Sequence, residues 1–203
     1  MNIQLTLAAF AAMTASCIAG TPVAAVDTTP APQPIYRSNA LDFEVGGLWE
    51  IGSNTPLKYR LVPTQLSWRS ERMFGFDLGD GSTISVRNKL TAIGTWVESG
   101  PEHHYFGFSA SPSVEWWNKA QTCSIYAGAG GGCGAIDSQG VPGGQGQDFT
   151  LNWFAQLGVQ QVLTDTVSLR VGAMFQHMSN GGATNPNPGI DALGFTVGCS
   201  WRF

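Results

Sequence analysis

The sequence predicts an all-β chain closed as an eight-stranded antiparallel transmembrane β-barrel. Three observations predict it. Apolar and polar residues alternate with a period of two in one segment after another, while helical periodicity is nearly absent. The polar faces carry charges of both signs, as a self-neutralising lumen needs, and the apolar faces set tryptophans near strand ends, as interfacial girdles need. Only 12% of the residues are charged, against 26 glycines and 11% aromatics, an unusual balance for a cytoplasmic enzyme.

The first segment, LDFEVGGLWEI (residues 41–51), sets Leu41, Phe43, Val45, Trp49 and Ile51 against Asp42, Glu44 and Glu50. LKYRLVPTQLSW (57–68) is less regular; its Lys58 and Arg60 are assigned to the polar face with Asp42, Glu44, Arg87, Lys89, Glu115 and Arg170. TISVRNKLTAIGTWV (83–97) puts Ile84, Val86, Leu90, Ala92 and Trp96 on one side and Arg87 and Lys89 on the other. In YFGFSASPSVEWW (105–117), Phe106, Phe108, Ala110, Val114 and Trp116 alternate with glycine, serines and Glu115. TCSIYAGAG (122–130) is a fifth, weaker segment. FTLNWFAQLGV (149–159), VSLRVGAMFQH (167–177) and DALGFTVGCSWRF (191–203) complete eight, each long enough to span a bilayer when tilted. Trp49, Trp96, Trp116 and Trp201 form the expected girdles, and Phe203 ends the chain on the apolar parity of the last strand. A terminal aromatic of this kind resembles the assembly signal of bacterial outer-membrane barrels.

Closure with both termini in the periplasm places the connections after the first, third, fifth and seventh strands outside. The short turns NKAQ (118–121) and LTD (163–165) then fall on the periplasmic side, and the Gly-rich stretch from 130 to 147 becomes an external loop. RSERMFGFDLGDGS (69–82) is too long for a minimal turn and is expected to extend both neighbouring strands.

Residues 1–25 are small and apolar and end in Val23-Ala24-Ala25, the pattern of a cleavable secretory signal that lacks a basic start. The Pro/Thr-rich residues 26–38 read as a flexible lead-in, leaving 39–203 for the barrel. No later run of roughly 18 apolar residues supports a transmembrane helix. A net charge of −4 lacks the basic footprint of a nucleic-acid binder. Cys123, Cys133 and Cys199 would remain after cleavage, an odd set read as unpaired small apolar residues. His103 and His104 are adjacent, so a strand would point them to opposite faces; they read as loop residues, and no metal site is expected. The glycine run GAGGGCG (128–134) lacks the lysine and strand-to-helix setting of a phosphate loop, and reads as a close-packed, sharply curved wall segment and mobile loop.

The chemistry gathers in FQHMSNGG (175–182). His177 and Ser179 continue the outer parity of Val167, Leu169, Val171, Ala173 and Phe175, and Asp191 shares the outer parity of the following strand. A register centred near Thr184 sets Asp191 opposite His177, with Cβ atoms about 4.5–5.5 Å apart. This set suits serine acyl transfer: Asp191 orients the imidazole, His177 takes the proton and Ser179 attacks an ester carbonyl. Donors at Asn180 and the Gly182 backbone are the candidates for stabilising the oxyanion. The bland alternative is three ordinary polar residues at the membrane–water boundary.

FQHMSNGGATNPNPGIDALGF resembles the signature of the lipid A 3-O-deacylase family: His-x-Ser-Asn in the seventh strand, then Asn-Pro-Gly-Ile and an acid opening the eighth. The resemblance implies an outer-membrane carboxylic ester hydrolase that removes the 3-linked acyl chain of lipid A. It carries the base to His177, the nucleophile to Ser179, the oxyanion contribution to Asn180 and Gly182, and the orienting acid to Asp191. The best-known members have glutamate where this chain has Asp191. It also implies lipid A or lipopolysaccharide, with outer-membrane lipid, as partners, and neither cofactor nor metal. The strong match spans about the last 30 residues. A homodimer is compatible with this reading but not required by it. Other classes remain: a structural or adhesive barrel, and a phospholipase or acyltransferase using the same wall.

Overall fold

A computed structural model describes residues 34–52 and 57–203, so the expected leader and most of the lead-in lie outside the described residues. Among the described residues nine strands form one antiparallel sheet: β1 Ala40–Glu50, β2 Arg60–Arg69, β3 Phe74–Asp77, β4 Thr83–Ser99, β5 His104–Trp117, β6 Cys123–Ile136, β7 Phe149–Val162, β8 Val167–Ser179 and β9 Ile190–Arg202. Pairing of β1 with β9 and of β2 with β4 closes the eight long strands into a barrel. The short β3 is the exception. It lies along the start of β4, Phe74 opposite Val86 and Phe76 opposite Ile84, below the point where β2 leaves off. The long 69–82 connection is therefore a hairpin arm that extends β4, and its turn is held by Asp80, which accepts from the Ser82 N–H at 2.9 Å.

Alternation places the two faces as the pattern requires. Phe43, Leu66, Leu90, Phe108, Leu157 and Val197 are exposed on the wall, while Asp42, Glu44, Arg87, Lys89, Glu115 and Arg170 are fully or almost fully buried in the lumen. Eight strands enclose a space that side chains fill, so the interior is a polar core rather than a pore. Lys89 bonds Glu44 at 2.9 Å, Arg69 bonds Asp42 at 3.1 Å and pairs with Glu115, and Arg170 stacks over the Tyr126 ring at 3.9 Å.

The structure corrects several readings. Lys58 and Arg60 do not face the lumen. They are exposed at the rim on the outer parity of β2, where Arg60 meets Glu98 at 3.2 Å, and the inward cation of that strand is Arg69. At a rim the parity rule loses its force, because water solvates either side. The strand opening at Cys123 runs on to Ile136, so the glycine run is the close-packed wall segment expected of it, and the external loop begins after Ile136 rather than at Gly130. A Cβ at Gly132 would strike the Phe108 carbonyl, so the close β5–β6 approach there needs glycine. Cys133 and Cys199 are free, but Cys123 is disulfide-bonded rather than unpaired. Of the expected lead-in, residues 35–37 form a 3-10 turn; Tyr36 is buried with Trp117 at the end of the barrel opposite His177.

Candidate active site

β8 and β9 pair so that His177 faces Asp191, the register predicted from the sequence, and Ser179 is the last residue of β8. His177 Nδ1 lies 2.7 Å from Asp191 Oδ1, and Nε2 lies 3.0 Å from Ser179 Oγ. An ionised carboxylate can only accept, so this bond assigns the imidazole proton to Nδ1. Nε2 is then left as the acceptor for the serine hydroxyl. One imidazole thus joins an acid and a hydroxyl in the order that nucleophilic acyl transfer needs. The side chains of His177 and Asp191 are about one quarter exposed, 26% and 27%, which leaves them reachable from the wall.

The surroundings on that wall are apolar. Trp153 sits opposite His177 on β7, its ring 5.9 Å away at 32°, and packs on Phe175 at 4.7 Å. Leu151 faces Ser179 and Leu193 faces Phe175 across the neighbouring pairs. The sequence reading missed Trp153. Its outer parity and the short turn after β7 held the signal, since that turn fixes the register that brings Trp153 to His177.

The two expected oxyanion donors sit differently from His177, Ser179 and Asp191. Asn180 is buried, on the inward parity, and its Nδ2 donates to Gln145 O at 2.6 Å, Thr184 O at 2.9 Å, Thr184 Oγ1 at 3.0 Å and Pro186 O at 3.2 Å. The Gly182 N–H donates to Asn180 Oδ1 at 2.8 Å. Both groups are thus engaged, Gly182 within the 180–189 loop and Asn180 there and with Gln145 of the loop after β6. Gly181 and Gly182 take φ of +66° and +79°, which explains why the turn after Asn180 is a glycine pair. Asn187, also missed, accepts the Asn180 N–H on its Oδ1 at 2.9 Å and closes the loop over the end of β8.

Of the two adjacent histidines expected in a loop, His103 lies there and His104 instead opens β5. Asp137 receives the N–H groups of His103 and His104, each at 2.9 Å, and contacts His103 Nδ1 at 2.9 Å. Although partial burial opposes it, those donors hold the Asp137 carboxyl below the ordinary aspartate range. No cluster of potential metal ligands occurs among the described residues. Burial pushes the Tyr59 phenol far above its usual range, and its hydrogen bond to Glu102 adds to the shift.

Comparison with known proteins bears on these residues. The family model described as lipid A 3-O-deacylase (PagL) matches residues 62–200, a span that holds His177, Ser179, Asn180, Gly182 and Asp191. The chain belongs to the lipid A 3-O-deacylase family. It is a bacterial outer-membrane barrel, as the sequence pattern predicts. Among solved structures it is similar to the outer membrane enzyme PagL, with a TM-score of 0.54 and 18% identity over 78% of this chain and 97% of that one. It is equally similar to Neisserial surface protein A, with a TM-score of 0.55 and 14% identity over 81% and 97%. At these identities the likeness concerns the fold, and the fold alone does not separate the two. No curated protein matches significantly.

Proposed function

We propose that the protein hydrolyses the 3-O-linked acyl ester of lipid A through Ser179, His177 and Asp191. Membership in the deacylase family supports the substrate class. The observation that carries the residue assignment is the His177 imidazole bonded on one nitrogen to a carboxylate and on the other to a hydroxyl, on the outer face of the wall. Ser179 Oγ attacks the ester carbonyl while His177 Nε2 takes its proton. Asp191 holds the ring in place and offsets the imidazolium charge, and His177 then returns the proton to the departing sugar hydroxyl. Water releases the acyl chain from Ser179 by the same steps.

The oxyanion falls to the 180–182 turn. In this reading the Gly182 N–H exchanges its present acceptor, Asn180 Oδ1, for the substrate oxygen, because catalytic donors commonly reach full alignment only with substrate bound. The inward Asn180 side chain shapes the turn instead of touching substrate. The acyl chain lies along Trp153, Phe175 and Leu193, and the sugar sits at the rim, which faces outside with both termini in the periplasm. All three reacting side chains come from one copy of the chain, so the chemistry requires no dimer.

Purified protein in detergent–lipid A micelles should release a 3-hydroxy fatty acid, and Ser179→Ala should release none. Release of fatty acid from phospholipid instead would make the site a phospholipase. Absence of release from either lipid by folded protein would leave a structural barrel.

A further inference from the structure

We propose that Glu102 is a positioning residue for Ser179, acting through a buried hydrogen-bond relay that joins all four loops at the rim where Ser179 lies. This rests on the assignment of Ser179 as nucleophile. Glu102 lies in the short loop between β4 and β5 and is 1% exposed. Its Oε2 accepts from the Tyr59 hydroxyl at 2.7 Å, from the loop after β1. Its Oε1 accepts from Ser138 Oγ at 2.9 Å and from the Gln145 N–H at 3.2 Å, both in the loop after β6. The Gln145 N–H also reaches Ser138 Oγ, and the Gln145 carbonyl receives Asn180 Nδ2 at 2.6 Å. Asn180 is the residue after Ser179. The relay therefore runs from Glu102 through the backbone N–H and carbonyl of Gln145 to the side chain of the residue that follows the nucleophile.

Three features give this arrangement a purpose beyond filling space. Ser179 closes β8, and strand ends fray unless something holds the residue beyond them. The chain then leaves through two left-handed glycines, Gly181 and Gly182, which impose little restraint of their own. Finally, Glu102 is a buried carboxylate served by three neutral donors, with no cation facing it among the described ion pairs. An apolar residue in its place would leave those three donors without their acceptor, which is itself costly. What an apolar residue lacks is an acceptor that organises Tyr59, Ser138 and Gln145 at one point.

The relay touches the end of β8 and not the acyl wall at Trp153, Phe175 and Leu193, so its loss should act on turnover and not on substrate binding. A displacement of the nucleophile by about 1 Å costs on the order of 100-fold in rate. The experiment measures kcat, KM and the rate at which a fluorophosphonate captures Ser179, for wild type, Glu102→Ala, Glu102→Gln and Ser179→Ala in detergent micelles. For Glu102→Ala, kcat and capture rate should both fall by about 10–100-fold, with KM within about 3-fold of wild type. Glu102→Gln keeps the Oε1 acceptor and can donate to the Tyr59 oxygen, so it should recover most of that loss. If Glu102→Ala fails to fold, Ser138→Ala removes the hydroxyl that bonds both Glu102 Oε1 and the Gln145 N–H, leaves only the direct 3.2 Å bond, and should show the same pattern with a smaller fall. Wild-type capture and turnover in the folded relay variant would overturn the proposal. So would a loss carried by KM, or one that glutamine does not rescue. Activity or capture surviving in Ser179→Ala would instead overturn the nucleophile assignment itself.

Discussion

Arg170 and His177 stand on the same strand, seven residues apart and on opposite faces, and the two sides use polar groups in opposite ways. On the inner side, Asp42, Glu44 and Glu115 are wholly buried and meet Arg69, Arg87, Lys89 and Arg170 in a network that water and lipid cannot reach. On the outer side, Asp191 meets a histidine rather than a fixed cation, the histidine passes its second nitrogen to a hydroxyl, and all three remain partly open at the rim. Charges locked to fixed cations can fill a barrel but cannot shuttle a proton. A carboxylate–imidazole–hydroxyl chain can, and the rim is where its cost is lowest, since a charge on the lipid face costs roughly 2–4 kcal/mol at mid-bilayer and about 0–1 near the interface.

That contrast can be broken most sharply by paired substitutions. Asp191→Asn should leave the barrel folded and cut turnover by up to about 10⁴-fold, because an amide favours the wrong imidazole tautomer. Arg69→Ala should do the reverse. It removes the cation that Asp42 and Glu115 share and leaves them only the longer contacts to Arg170 and Arg87, at a cost of roughly 3–5 kcal/mol, yet turnover per folded molecule should stay at the wild-type level. Urea unfolding in detergent together with deacylation rates measures both. If Asp191→Asn runs at the wild-type rate, Asp191 is only a rim residue and the two faces do not differ as argued. A smaller effect concerns depth. Val197→Arg, in the middle of β9, should impair folding by about 2–4 kcal/mol, while Phe149→Arg at the outer end of β7 should cost about 0–1 kcal/mol. Equal costs would mean that the wall does not face lipid. Smallest of all, Asp191→Glu should keep activity within about 10-fold of wild type, or exceed it if the shorter acid limits the rate. Asp137→Asn should leave deacylation unchanged, because that carboxylate is committed to His103 and His104.

Much of this was readable in the sequence where one physical rule dominates. Period-two alternation identified the eight long strands and the two faces, and the register of His177 with Asp191 followed from parity and the centre of one loop. The rule failed where its cause is absent. Lys58 and Arg60 lie past the hydrocarbon, where neither face is penalised. β3 is too short to show a period, and its pairing depends on β2 ending before β4 begins. Gly130, Gly132 and Gly134 read both as wall and as loop because glycine carries no side chain to alternate, although close backbone approach is what demands it. The loop contacts of Glu102, Gln145 and Asn180 were not legible at all. They join residues 43 and 35 positions apart through backbone groups that leave no mark on residue type.

The central claim is that Ser179, oriented by His177 and Asp191, removes the 3-linked acyl chain of lipid A. Mass spectrometry of lipid A from cells expressing wild type or Ser179→Ala tests it most directly, with heat-modifiable gel migration confirming a folded outer-membrane barrel in each. Wild type should lower the lipid A mass by one 3-linked hydroxyacyl chain, and Ser179→Ala should leave it intact. An unchanged profile with folded wild type, or the same loss in both, would contradict it.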